Sequence, residues 1–346
     1  MKIGFPRALF YYDYFPFWAG FFNALDIEVV TSPPTNRRIM EQGLKRVSDD
    51  TCLPIKLLAG HIQALENIDA IFLPRMVSVE KNTYTCPKLL GIPESILSAV
   101  PPGIPVLTVT LNWRKSRRQV LKELQAFGLQ LAKSRSDIRK AFTNGQEWQK
   151  RSLNLRGAGW DFEKSRHEIG SAAEGLIGLP NNPSTHHEPE RLRMALVGHS
   201  YLTHDSYASL NLLGRLRKKT EVELVQYVVQ EEVDNHLSGL RKKLFWNHAK
   251  RIYGAGHKFI TDPKIDGVIY LSCFGCGTDS VVQGFLESYA REIHKPYMML
   301  TLDEHSGEAG LVTRLEAFLD MVERRKVHEN YISSHGERLD SNSNTL

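Results

Sequence analysis

Short apolar runs alternate with longer amphipathic stretches in the first third of the chain. The apolar runs predict strands at 2–5, 27–30, 70–73 and 106–109. Between them, helical periodicity predicts helices at 11–25, 36–47 and 51–65, a long loop up to Cys86 and a further helix near Ser95. Because strands that alternate with helices in this way form parallel sheets covered by helices, we predict an α/β lobe.

A second alternating series follows a long helical stretch. Residues 115–177 have helical periodicity throughout, and 180–190 is a linker rich in Pro, Asn, Ser and His. Strands are then predicted at 193–197, 221–227, 267–271 and 296–300, with helices near 205–216, 240–252, 279–293 and 308–324. We predict two Rossmann-like parallel-sheet lobes, 1–114 and 191–326, joined by the helical segment and linker 115–190 and followed by a polar tail, 327–346.

Composition narrows the class of protein. The 346 residues are 42% hydrophobic and 24% charged with a net charge of +5, which is typical of a globular protein. No run combines the basic and aromatic residues of a nucleic-acid module. The most apolar stretch, 9–25, is interrupted by Asp13 and Pro16 and is too short to span a bilayer. We therefore expect a cytoplasmic protein with no nucleic-acid or membrane partner.

The four cysteines occupy similar positions relative to the predicted elements. Cys52 stands at the head of a helix, and Cys86 precedes a proline at the end of the loop that leaves a strand. Cys273 and Cys276 lie in Ser-Cys-Phe-Gly-Cys-Gly, directly after a strand. Ligands of open α/β sheets bind beyond the carboxyl ends of strands, and helix N-termini favour thiolates. We therefore predict that the four thiols converge on one crevice.

Several kinds of site fit these cysteines. In the cytoplasm they favour metal or redox chemistry over disulfides. Any one of them could instead fill the core, and Cys273-x-x-Cys276 alone fits a thioredoxin-like dithiol. Four thiolates also suit structural zinc as well as an iron–sulfur cluster, so spacing alone leaves the metal open.

Motifs spread over nearly the whole chain resemble those of the 2-hydroxyacyl-CoA dehydratase-like family, in particular its acyl-CoA dehydratase activase-related domain. The matching stretches are Lys2-Ile-Gly-Phe-Pro-Arg7, Asp50-Thr-Cys52-Leu-Pro-Ile-Lys56, Cys86-Pro-Lys88, Ser272-Cys-Phe-Gly-Cys276-Gly and Thr301-Leu-Asp-Glu-His305-Ser-Gly-Glu308.

The resemblance implies a [4Fe–4S] cluster, or the double-cubane variant found in a related branch, held by cysteines. Cys52 and Cys86 match the family's first two ligands; the third is Cys273 or Cys276, and the other is a fourth ligand or a spare. It also implies a homodimer or a heterodimer of related subunits, and low-potential electrons that a separate ATP-dependent activase supplies for delivery to a small substrate, with acyl-CoA as a candidate partner. The chain contains no Gly-x-x-x-x-Gly-Lys-Ser/Thr loop, which agrees with a separate ATPase. A non-catalytic electron-relay subunit and a binding protein stabilised by zinc on the four cysteines remain alternatives.

Two arginines are candidate catalytic residues. Arg7 and Arg75 each follow a proline at the carboxyl end of a predicted strand. There they would face the cluster or stabilise negative charge on a substrate oxygen. The alternative for both is an ion pair with Glu80 or Asp50.

His305 and Glu308 are the other catalytic candidates. With Asp303 and Glu304 they form the densest titratable group after a strand, which suits acid–base work. Helix capping by Ser306 is the competing interpretation. His199 and His204, which follow the strand 193–197, are candidate proton donors or structural residues.

Overall fold

A computed structural model describes residues 1–114, 116–171 and 191–329. The predicted linker 180–190 and most of the predicted tail lie outside these residues. Within them, helices surround two four-stranded sheets whose strands are all parallel. The α/β class predicted from the sequence is confirmed.

The N-terminal sheet has the strand order β2-β1-β3-β5. Its elements, in chain order, are β1 (Lys2–Phe5), α1 (Tyr11–Asn23), β2 (Glu28–Thr31), α2 (Arg37–Leu44), α3 (Leu53–Gln63), β3 (Ala70–Phe72), β4 (Arg75–Ser78), α4 (Pro87–Leu90), α5 (Ile92–Ser95), β5 (Val106–Leu107) and β6 (Thr110–Asn112). In register, Lys2 lies opposite Glu28, and Ile71 lies opposite Val106. Aromatic side chains of α1 fill the core beneath this sheet, with Trp18 and Phe72 in edge-to-face contact at 4.5 Å.

The segment predicted as a loop up to Cys86 contains a strand. Beyond Pro74 the chain continues as β4, which pairs in parallel with β6. Proline has no N–H to donate, so it interrupts the ladder. The flanking amides preserve the alignment: the N–H of Leu73 donates to the carbonyl of Leu107, and the N–H of Arg75 to that of Val109.

Between the two sheets, the described part of the chain forms α6 (Arg117–Gln130), α7 (Arg135–Gly157) and α8 (Phe162–Ser171). A capping box between Ser134 and Asp137 fixes the start of α7. Helix α7 lies along α1, where a Cβ on Gly20 would come within 2.7 Å of Trp148. This close contact places α7 directly over the first core.

The C-terminal sheet has the order β10-β9-β7-β8. Its elements are β7 (Arg193–Gly198), α9 (Ser200–Thr203), α10 (Leu212–Lys219), β8 (Glu221–Leu224), α11 (Gln230–Asn235), α12 (Asn247–Thr261), β9 (Gly267–Cys273), α13 (Gly277–Glu292), β10 (Tyr297–Leu302) and α14 (Glu308–Glu329). No helix among the described residues is long and apolar enough to cross a bilayer.

Two predicted helices of this half are displaced. The predicted helix 205–216 begins only at Leu212, because the Asp205 carboxylate accepts bonds from the N–H groups of Tyr207 and Ala208 and holds a turn there. The predicted helix 240–252 begins only at Asn247, as α12, and α11 lies ahead of the predicted range. Strand β9 continues two residues beyond its predicted end, so Cys273 belongs to the strand.

Helix α3 lies between the two halves of the molecule. Ile55, Leu58 and Ile62 pack into the core of the N-terminal sheet. Leu53 and Leu57, on another side of the same helix, pack into the core of the C-terminal sheet. The residue at the head of α3 is therefore held where the two cores meet.

Candidate functional site

Three cysteines stand immediately before a helix. Cys52 precedes α3, Cys86 precedes α4 and Cys276 precedes α13. Each has an extended backbone, with ψ of 148°, 147° and 101°, and Pro54 and Pro87 occupy the first turns of α3 and α4. Proline suits these positions because the first helical amides have no intrahelical acceptor.

The same three cysteines line one small cavity between the two halves of the molecule. The loop between Cys273 and Cys276 turns through Gly275, whose φ of +77° is a left-handed conformation that favours glycine. Gly275 lies beside Cys52: a Cβ built on it would be at an ordinary contact distance of 3.7 Å from Cα of Cys52. The structure thus brings together residues that are separated by more than two hundred positions in the sequence.

Cys273 differs from the other three cysteines. It is the last residue of β9, is 3% exposed and packs among the apolar side chains of the second core. It is not among the residues that line the cavity. Its thiol hydrogen-bonds to the sulfur of Cys276, which raises the pKa of Cys273. Of the four thiols predicted to converge, three therefore line the cavity, and the fourth, that of Cys273, lies in the core next to Cys276.

The pKa values of the cavity thiols diverge. Hydrogen bonds from Cys273, His199 and Thr278 hold the pKa of Cys276 well below its usual range. Burial raises the pKa of Cys52 to about 11, while the charge of Lys88 opposes that rise. Metal ligation requires thiolates. The lowered pKa of Cys276 favours its thiolate before any metal binds, whereas Cys52 would lose its proton on binding.

His199 supports Cys276 from the C-terminal half. Its Nε2 lies 3.1 Å from Oδ1 of Asp279 and 3.9 Å from Sγ of Cys276. Burial opposes a charged imidazole, but Asp279 and Cys276 outweigh burial and raise the pKa of His199. Tyr270 donates to the same carboxylate at 2.8 Å. The ligand atoms of His199, Cys276 and Asp279 lie within 4.8 Å of one another.

The two candidate arginines form ion pairs, although with partners other than those predicted. Arg7 pairs with Glu163 of α8 and lies over the ring of Tyr11. Arg75 pairs with Glu94. Neither arginine is among the residues that line the cysteine cavity.

The two other catalytic candidates, His305 and Glu308, are exposed. Glu308 pairs with Arg215. Ser306 and Asp303 hydrogen-bond to each other within the turn that precedes α14, so the helix cap considered for Ser306 is not formed. Their neighbour Glu304 points elsewhere and pairs with the buried Lys56 of α3. Neither His305 nor Glu308 lines the cysteine cavity.

Sequence reasoning missed several residues of the cavity wall. His248, Trp246, Tyr201 and Thr278 line it along with the cysteines. They lie on three separate segments, and the helix predicted over 240–252 concealed the fact that Trp246 and His248 begin a new helix. His204, in contrast, bonds to Arg156 away from the cavity.

Comparison with known proteins identifies the family. No curated protein matches the chain. A family model described as the CoA enzyme activase uncharacterised domain matches residues 2–229, which is about two thirds of the chain and includes Cys52 and Cys86. The chain belongs to this CoA enzyme activase-related family.

Proposed function

We propose that this protein is an iron–sulfur protein that receives low-potential electrons from a separate ATP-dependent activase and delivers them to a small substrate. One observation carries the proposal: Cys52, Cys86 and Cys276, from three distant segments, line one cavity. Three thiols that meet from separate segments fit the donor set of an iron–sulfur cluster. Family membership supports the link to activase chemistry.

In this proposal Cys52, Cys86 and Cys276 hold a [4Fe–4S] cluster. Such a cluster supplies one-electron chemistry at a potential that the surrounding protein sets. His199 and Thr278 orient the sulfur of Cys276 through hydrogen bonds. Cys273 supports that sulfur from the core rather than acting as a ligand.

The proposed partners follow from the resemblance and from the sequence. We propose that the chain forms a dimer, either with itself or with a related subunit, and that a separate activase is its partner. The sequence carries no phosphate-binding Gly-x-x-x-x-Gly-Lys-Ser/Thr loop, so the ATPase would be another polypeptide.

A zinc site is the competing proposal. His199, Cys276 and Asp279 are close enough to bind one ion. However, Asp279 already accepts from Tyr270, and such a site would leave Cys52 and Cys86 without a role. The iron–sulfur assignment gives a role to all three cysteines that line the cavity.

The test is metal analysis of protein purified without oxygen and reconstituted with iron and sulfide. We expect about four iron and four sulfide per chain, with visible absorption that bleaches on reduction. Colourless protein with one zinc per chain would contradict the proposal.

Cysteine variants then separate the ligands from the core thiol. We expect Cys52→Ala, Cys86→Ala and Cys276→Ala to lose most of the iron, and the matched control Cys273→Ala to keep most of it. Circular dichroism checks that each variant folds. Equal iron loss in Cys273→Ala and Cys276→Ala would show that the core thiol is also a ligand.

A further inference from the structure

A second and much larger cavity, about 750 Å³, lies beside the cysteine cavity. We call it the chamber. Its walls come from helices α1, α6, α7 and α12, from β4 and β6 with the residues directly after them, and from the segments that follow β7 and β8. Its volume is within the range of about 300–1,000 Å³ that is typical of small-molecule sites.

One side of the chamber is apolar and rich in aromatic rings. Phe17 and Trp18 of α1, Trp113 after β6, and Leu124 and Phe142 of the helical segment line it. Aromatic side chains offer large rigid contact surfaces for a ring or a branched hydrocarbon. A ligand with an apolar body fits this side.

The chamber wall also holds a buried cation. Arg156 is 2% exposed; its Nη1 donates to the carbonyl of Tyr12, and its Nη2 bonds to His204. Within the described parts of the chain, no carboxylate lies within ion-pair distance of Arg156, and its Nε has no hydrogen-bond partner. A buried charge of this kind is costly unless an anion pairs with it.

Unpaired polar atoms are concentrated around the chamber. Besides Arg156 Nε, five buried atoms without partners belong to side chains that line it: His199 Nδ1, Gln226 Oε1, Tyr227 OH, Asn247 Nδ2 and His248 Nδ1. Each such atom costs about 1–3 kcal/mol when it is left unsatisfied. Six of the thirteen such atoms among the described residues thus belong to the wall of one cavity, which indicates a binding site.

The charge of the chamber suits one anionic group. Asp13 accepts from Ser200; burial raises the pKa of Asp13, whereas that hydrogen bond and the charges of Arg156 and Arg251 oppose the rise. Glu80, the other carboxylate of the chamber wall, pairs with Lys250. The second arginine, Arg251, uses its Nη2 on three backbone carbonyls and its Nη1 on Gln230. Arg156, whose Nε has no partner, is therefore the guanidinium that keeps donor capacity for a ligand, and one guanidinium fits one carboxylate.

The chamber and the cysteine cavity share part of their walls. His199 and His248 line both cavities, and Nε2 of His199 is 3.9 Å from Sγ of Cys276. A molecule in the chamber would thus be separated from Cys276 by the two imidazoles.

We propose that the chamber is the substrate site and that it binds a monocarboxylate with an apolar, ring-containing body. The carboxylate lies at Arg156 and Asn247, and the body packs against Phe17, Trp18 and Trp113. Calling this molecule the substrate rests on the iron–sulfur function proposed above, whereas the binding itself does not.

Substitutions at two exposed apolar residues test the site without disturbing the core. Leu153 of α7 is 44% exposed, Val229 before α11 is 62% exposed, and both line the chamber. They therefore lie where the chamber opens to solvent. Tryptophan at these positions would narrow the opening without disturbing the core. Leu129, which is 65% exposed and does not line the chamber, is the matched control.

The experiment measures binding of 4-phenylbutanoate and of its neutral analogue 4-phenylbutanamide by calorimetry on the full chain. We expect the acid to bind about tenfold more tightly than the amide, as a charge-assisted bond to a buried arginine requires. We expect Arg156→Gln to abolish that preference. Leu153→Trp combined with Val229→Trp should weaken the acid about tenfold, whereas Leu129→Trp should leave it unchanged.

Failure of this inference can be told apart from failure of the iron–sulfur function. Acid binding that the two tryptophans do not affect, equal binding of acid and amide, or displacement of the acid by free coenzyme A would each overturn the inference. The double tryptophan variant keeps the test decisive if Arg156→Gln does not fold. Protein that loads iron but binds no acid refutes this inference alone, and protein that binds the acid but never loads iron refutes only the proposed function.

Discussion

At the scale of single residues, burial and hydrogen bonds to two hydroxyl groups keep one histidine neutral. His61 of α3 has no exposed surface. Its Nδ1 lies 2.8 Å from Oγ of Ser32, and its Nε2 lies 2.9 Å from Oγ1 of Thr35. Two hydroxyl groups suit a neutral imidazole, with one nitrogen donating and the other accepting.

This burial makes stability depend on pH. Desolvation, aided by the charge of Arg7, lowers the pKa of folded His61 to about 3, whereas an unfolded histidine has a pKa of about 6.5. Below pH 6.5, His61 therefore binds a proton in the unfolded chain but stays neutral in the folded chain. We expect the free energy of unfolding in urea to fall between pH 7 and pH 5 by about 2 kcal/mol more in the native protein than in His61→Gln.

An exposed histidine provides the control for this measurement. His305→Gln should retain the full pH dependence of the native protein, because its side chain lies at the surface. Identical pH slopes for His61→Gln and the native protein would show that folding does not shift the pKa of His61, which would contradict the prediction.

At the scale of elements, the crossing of α2 and α3 decides where Cys52 lies. The backbones touch at two glycines. A Cβ on Gly43 would lie 1.9 Å from the carbonyl oxygen of Lys56, and a Cβ on Gly60 would lie 1.9 Å from that of Ile39. Both clashes would be with backbone atoms, which cannot move away by changing rotamer as a side chain can. The position of α3, and of Cys52 before it, therefore depends on these glycines.

Substitution of Gly60 by alanine tests this dependence. We expect Gly60→Ala to lower the free energy of unfolding by about 3 kcal/mol, because the helices must separate. Gly284→Ala in α13 is the matched control: nothing lies within 4 Å of its Cβ, and alanine in an exposed helix should stabilise by about 0.5–1 kcal/mol. Chemical denaturation of both variants checks the prediction, and equal effects would contradict the close crossing.

At the scale of the whole molecule, the proposed ligands tie the two halves together. Cys52 and Cys86 belong to the N-terminal half, and Cys276 belongs to the C-terminal half. The buried ion pair between Lys56 and Glu304 makes a second link across the same junction. A metal group held by all three thiols would therefore bind the folded arrangement and not the unfolded chain.

Removal of the metal should thus lower thermal stability. We expect the Tm of reconstituted protein to fall by on the order of 5 °C after anaerobic chelation, because a ligand specific to the folded state stabilises it. Scanning calorimetry measures the change. Cys276→Ala should melt at the same temperature before and after chelation, and a native protein indifferent to chelation would contradict a metal that bridges the halves.

The sequence by itself determined the α/β class and most of the strands, because short apolar runs that alternate with amphipathic helices have few other solutions. It was least accurate where a single side chain decided the backbone, as at Pro74 and Asp205. It also placed Cys52 at the head of a helix and Cys86 before a proline at the end of a loop, since proline and helix-capping residues act locally.

Only the tertiary structure distinguished Cys276 from Cys273. Three residues apart in the sequence, one lines the cavity and the other is buried in the core, because β9 runs two residues longer than its pattern indicates. The chamber was equally beyond the sequence, since Arg156, His199 and Asn247 come from three segments that meet only when both sheets pack around α1 and α7. Local patterns specify elements, whereas the packing of distant elements creates the sites.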